Sequence, residues 1–155
     1  MECGALGPAL RDRRTLLSYS RQLQQYQSSQ VTSASPLQLV IMLYDGALKF
    51  LRQADEAMEK KDLFKQNDAI QRVQKIVAEL MSCLDFNHGG EIAQNLFALY
   101  SFVYNQLVLA NIEDNRDALK EASTVLENLR VSWVELEKQQ RSGAIPGGTH
   151  EKSAA

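Results

Sequence analysis

Between Ile92 and Ile112 the chain runs for twenty-one residues, IAQNLFALYSFVYNQLVLANI, without a charged side chain. Leu96, Leu99, Val103, Leu107 and Ala110 recur there at three- and four-residue spacing, which is the period of one helix face. Phe97, Tyr100, Tyr104 and Val108 form a second apolar stripe on an adjoining face. A helix that is apolar on two faces must be covered on more than one side. The length suits a membrane span, but Gln94, Asn95, Ser101, Asn105, Gln106 and Asn111 are spread along it. Its flanks are Glu91, Glu113 and Asp114, where basic anchors belong in a membrane segment. The pattern predicts a helix buried among other helices, with no membrane insertion.

Three more segments carry the helical period. In Ser35-Pro36-Leu37-Gln38 the serine suits an N-cap, the proline fits the first helical position, where its missing N–H costs nothing, and the glutamine completes a capping box. The helix that follows is expected to run to about Glu59. It has one stripe of Val40, Leu43, Tyr44, Ala47, Leu51, Ala54 and Met58, and a second of Leu37, Ile41 and Leu48. Gly46 costs about 1 kcal/mol relative to Ala in a helix interior and points to close approach of a neighbouring backbone. Asp62 is positioned to cap a second helix reaching about Asp85 through Ile70, Val73, Val77, Leu80 and Leu84, which Asn87-His88-Gly89-Gly90 then ends. Asp114 or Asn115 caps the last helix, whose seam of Leu119, Ala122, Leu126, Leu129, Trp133 and Leu136 reaches about Gln139.

Short links between long helices imply antiparallel neighbours. The expected fold is all-α: an antiparallel up-down four-helix bundle over residues 35–139, preceded by an N-terminal arm or short helix over 15–34. In the arm Leu16, Tyr19, Leu23 and Tyr26 share helical spacing, but a helix so short is marginal unless its apolar face docks. Residues 1–14 mix Gly, Pro and Arg without period, and 140–155 hold almost no apolar residue, so both are expected to be disordered.

A chain of 155 residues suits one domain with a substantial core. Its net charge of −2 argues against nucleic acid as the main partner, although Arg11, Arg13 and Arg14 make a local basic patch. The two cysteines, Cys3 and Cys83, lie in unlike surroundings, which argues against a disulfide framework and fits a reducing compartment. The charges of MECGALGPALRDRR follow its weakly apolar part, the reverse of a secretory signal.

Candidate chemistry is sparse. Di-iron bundles need paired Glu-x-x-His motifs, whereas the chain has only His88, beside a Gly-Gly turn, and His150 in the tail. His88 and Glu91 have ligand-like spacing but straddle a helix break. Cys83 has no neighbouring base, and Gly89-Gly90 lacks the Lys and Ser/Thr of a phosphate loop. Asp45 with Lys49, and Arg52 with Glu56, read as surface pairs. No metal, cofactor or enzyme activity is expected. What remains is surplus apolar surface on the first and third helices. It either faces the arm and an irregular core, or forms an external groove for a partner segment that the arm occupies in the partner's absence.

The residue words resemble those of a known family. Tyr26-Gln27, Val31, Thr32-Ser33-Ala34-Ser35-Pro36 and Met42-Leu43-Tyr44-Asp45-Gly46-Ala47 closely resemble the signature of the flagellar secretion chaperones called FliS. The likeness continues through Glu79-Leu80, Gly90-Glu91-Ile92-Ala93, Tyr100 and Tyr104, Leu107-Val108 and Ala110-Asn111-Ile112 to Trp133, and covers about Tyr19 to Gln139. Asn105 and Gln106 stand where the family commonly has arginines.

The resemblance implies a cytoplasmic chaperone that binds the disordered C-terminal segment of flagellin. It would block premature polymerisation and aid delivery to the export apparatus, whose gate is a further expected partner. The segment is expected to meet Leu37, Ile41, Tyr44 and Leu48 on the first helix and Tyr100 and Tyr104 on the third, once the arm bearing Tyr19 and Tyr26 moves aside. The alternative is a structural helical adaptor, or a bundle that homodimerises, so the chain is expected to be a monomer or a homodimer.

Overall fold

The computed structural model describes residues 34–143, and every element in that range is a helix. These are α1 (Pro36–Glu59), α2 (Leu63–Ser82), α3 (Phe86–Glu113) and α4 (Arg116–Ser142). Each packs on the next along the chain and α4 closes against α1, so α1 and α3 lie diagonally across a four-helix bundle. The antiparallel sense of α1 and α4 is fixed at both ends. Gln38 Nε2 donates to Glu137 at 3.2 Å, and Arg116 pairs with both carboxylate oxygens of Asp55 at 2.8 Å.

The helix starts follow local chemistry. Ser35 and Gln38 form the reciprocal capping box, with Pro36 at the first turn. Asp62 accepts from the Lys65 N–H, and Asn115 accepts from that of Ala118. Asp114 does not cap α4; it takes the left-handed conformation that ends α3. The buried Gln66 then donates to Asp114 at 2.8 Å, tying the start of α2 to the α3–α4 link.

The α2–α3 link departs from expectation. The two glycines do not end α2, which stops at Ser82 with Cys83 as its C-cap. Asp85 instead accepts from the N–H groups of Asn87 and His88 and caps a single turn. Gly90 then leaves helical geometry at φ 52° and ψ −124°, and the long helix resumes. A positive φ at this step favours glycine. Asp45 is not confined to a pair on its own helix either, for it is bonded by Arg130 of α4.

The core is one cluster drawn from all four helices. On α3 its seam is Ala93, Leu96, Tyr100, Val103, Leu107 and Ala110. Leu99 therefore leaves the inner stripe and Tyr100 enters it, because position 100 falls four after Leu96 and three before Val103. No described helix is long and apolar enough to cross a membrane.

Candidate partner-binding surface

The six residues expected to meet a partner do not share one surface. Leu37, Tyr44 and Tyr100 are fully enclosed and Leu48 is 8% exposed. Leu37 and Tyr44 are seven apart with Val40 between them, so the inward face of α1 takes all three. Tyr44 and Tyr100 meet across the centre, hydroxyl to hydroxyl at 2.7 Å, and Trp133 of α4 sets its ring edge-on to Tyr44 at 6.5 Å. Burial, which outweighs the hydrogen bond from Tyr100, pushes the Tyr44 phenol up to about 12. Burial likewise holds the Tyr100 phenol well above its ordinary value. These tyrosines join two diagonal helices and offer nothing to a ligand outside the bundle.

Ile41 and Tyr104 are half-exposed, but on opposite edges. Ile41 lies between Gln38 and Asp45, both of which bond to α4, so it borders the α1–α4 edge. Tyr104 lies one heptad before Asn111, which donates to Asn67 of α2 at 2.7 Å, so it borders the α2–α3 edge. Tyr19 and Tyr26 of the expected arm lie outside the described residues.

The accessible apolar surface is elsewhere, and mostly on α3. Ile92, Phe97, Leu99, Phe102 and Ile112 are all exposed there, and Phe86, in the capped turn before Gly90, packs edge-on against Phe97 at 5.8 Å. Phe97 and Tyr104 are seven residues apart and therefore follow the same edge beside α2. The signal for this surface was the missing charge between Glu91 and Glu113. A seam buries only one side of a helix, so an uncharged stretch leaves apolar groups on the other side.

The α1–α4 edge differs in character. A groove of about 790 Å³ there is lined by Leu51, Arg52, Asp55, Arg116 and Lys120 among others. Opposite charges alternate along that groove, which suits an ion-paired surface more than an apolar ligand. The Arg116 guanidinium holds the Asp55 carboxyl below the usual range. Beside Gly90, His88 Nδ1 lies 2.8 Å from Asp85 and draws that carboxyl down as well. Among the described residues no group of three His, Cys, Asp or Glu side chains is placed to hold a metal ion.

Residues 19–140 match the family model described as "Flagellar protein FliS". The chain belongs to the FliS family. The flagellar secretion chaperone FliS of Bacillus subtilis (strain 168) is 34% identical over 122 residues, which is 77% of this chain and 90% of the relative. The FliS chaperone of Campylobacter jejuni is 34% identical over 115 residues, 74% of this chain and 90% of the relative. That of Salmonella typhimurium is 36% identical over 109 residues, 70% of this chain and 81% of the relative. The FliS match takes in the whole of α1, α2 and α3 and nearly all of α4. FliS proteins are chaperones of flagellar secretion, not enzymes.

Proposed function

We propose that the chain is a cytoplasmic chaperone that binds the disordered C-terminal segment of flagellin, keeps it from polymerising early and hands it to the flagellar export apparatus. The observation that carries this reading is the uncharged, exposed face of α3 in a member of a flagellar chaperone family. The binding edge is formed by Phe86, Phe97 and Tyr104, with the partly buried Met81 of α2 packed against the core. Of the six residues expected from the sequence on the first and third helices, this edge keeps Tyr104 and leaves out Leu37, Ile41, Tyr44, Leu48 and Tyr100.

Burying apolar area yields about 25 cal/mol per Å². Ordering a disordered segment consumes several kcal/mol of that yield, so contact has to extend along much of the helix to give useful affinity. The uncharged surface runs about 30 Å at 1.5 Å per residue, long enough for such contact. The test is co-elution with flagellin in gel filtration. Intact flagellin is expected to bind and to stay unpolymerised, and flagellin cut short at its C terminus is expected to elute alone. Equal binding of the truncated form would refute the assignment of the segment.

A further inference from the structure

The single turn that opens α3 is held together by one residue. The Asp85 side chain accepts from the N–H groups of Asn87 and His88 at 3.0 and 3.2 Å, and the Asp85 carbonyl accepts from the N–H of Gly89 at 2.7 Å. The second carboxylate oxygen of Asp85 lies 2.8 Å from the His88 ring. On one side the turn is anchored by the fully buried Leu84, and on the other Gly90 joins it to the body of α3. The turn is therefore a small unit with its own bonds, attached at two points.

Gly90 decides where that unit points. Its φ of 52° and ψ of −124° lie in a region that residues with a Cβ avoid. A Cβ at this position would meet nothing within 4 Å, so the glycine serves the backbone angle and not the packing. In an unbroken helix Phe86 and Phe97, eleven positions apart, would be separated by about 16 Å along the axis. The bend at Gly90 brings their rings edge-on at 5.8 Å instead. The rings remain 45% and 42% exposed, so they can part without opening the core.

We propose that the turn from Asp85 to Gly90 is a hinged lid over one end of the partner-binding edge. In the free chain it is closed, with Phe86 laid on Phe97. It swings about Gly90 to admit a partner segment and then closes Phe86 over it. Hinges of this kind concentrate the backbone change in a residue that tolerates it, and Gly90 lies directly between the turn and the surface that the turn covers. The proposal deepens the reading of the Phe97 edge as the binding surface and rests on it.

The free chain and the binding step test it separately. Fluorine NMR of the full chain labelled with fluorophenylalanine is expected to show Phe86 and Phe97 sharing one microsecond-to-millisecond exchange process, with Phe102 outside it. Gly90→Ala strains the closed angle and is expected to shift the shared population towards the open form. Phe86→Ala is expected to abolish the exchange at Phe97 with helicity retained. With a C-terminal flagellin peptide, Phe86→Ala is expected to speed both association and dissociation by roughly threefold to tenfold, because a lid slows entry as well as exit. Acceleration of dissociation alone would make Phe86 an ordinary contact and overturn the lid, while leaving the flagellin reading intact. Absence of shared exchange at Phe86 and Phe97 would overturn the lid whether or not the peptide binds. An intact chain that binds no peptide would refute the flagellin reading, and with it the lid's role in admitting a segment.

Discussion

α1 and α3 are both strongly apolar, they face each other across the bundle, and they dispose of their apolar residues in different ways. α1 buries twelve of its 24 residues, whereas α3 buries seven of 28 and leaves Phe97, Leu99 and Phe102 exposed. The extra stripe of α1, from Leu37 to Leu48, is consumed inside the bundle apart from the half-exposed Ile41. The extra stripe of α3 is not consumed. An apolar surplus in a helix sequence therefore marks a binding surface only where the neighbouring helices leave it uncovered, and of these two helices α3 alone retains an extended one.

The largest effect separating the two helices is expected in the core. Leu43→Ala in α1 removes a fully enclosed side chain and should cost about 2–5 kcal/mol in urea unfolding. Phe102→Ala in α3 should cost less than about 1 kcal/mol. Comparable losses at the two sites would remove the contrast.

Where the helices meet, Tyr44→Phe leaves the Tyr100 hydroxyl without its bond and should cost about 1–3 kcal/mol. The double change to phenylalanine should cost less than the sum of the two single changes, which unfolding of all four proteins would reveal.

The same pair predicts behaviour in alkali. Both phenols are held above their ordinary value when folded, so their contribution is complete below about pH 10 and is lost as pH rises through about 12 at Tyr44. Absorbance should show Tyr44 and Tyr100 ionising together with loss of helicity.

The smallest effect belongs to the charged edge. Asp55→Asn should lower the melting temperature slightly, and the difference should shrink in high salt. Asp55 is held below the usual carboxylate range, so its contribution is present above about pH 4 and fades as pH falls through the folded value. A melting difference that persists undiminished in acid would contradict this.

Much of the fold was legible because its determinants are local. The Ser35–Gln38 box, the Asp62 cap and the seam of α4 each specify their element within a few residues. The inward face of α3 was harder to assign, because adjoining stripes were both apolar and period alone does not say which one turns inward. Tyr100 was thereby placed outside and Leu99 inside. The Gly89-Gly90 pair drew the end of α2 too far along, although Asp85 ahead of Phe86 is itself an N-cap signal. The candidate site was legible only as a chargeless stretch. Which of its residues stay accessible depends on the packing of α2 and α4, which no local pattern encodes.

The most direct test of the central claim, that the exposed face of α3 receives the flagellin segment, is calorimetry with a C-terminal flagellin peptide on the intact chain, on Phe97→Asp and on Ile41→Asp. The account predicts saturable binding with a negative heat-capacity change, abolished by Phe97→Asp and little altered by Ile41→Asp, with both variants folded. Binding that survives Phe97→Asp but is lost in Ile41→Asp would contradict it.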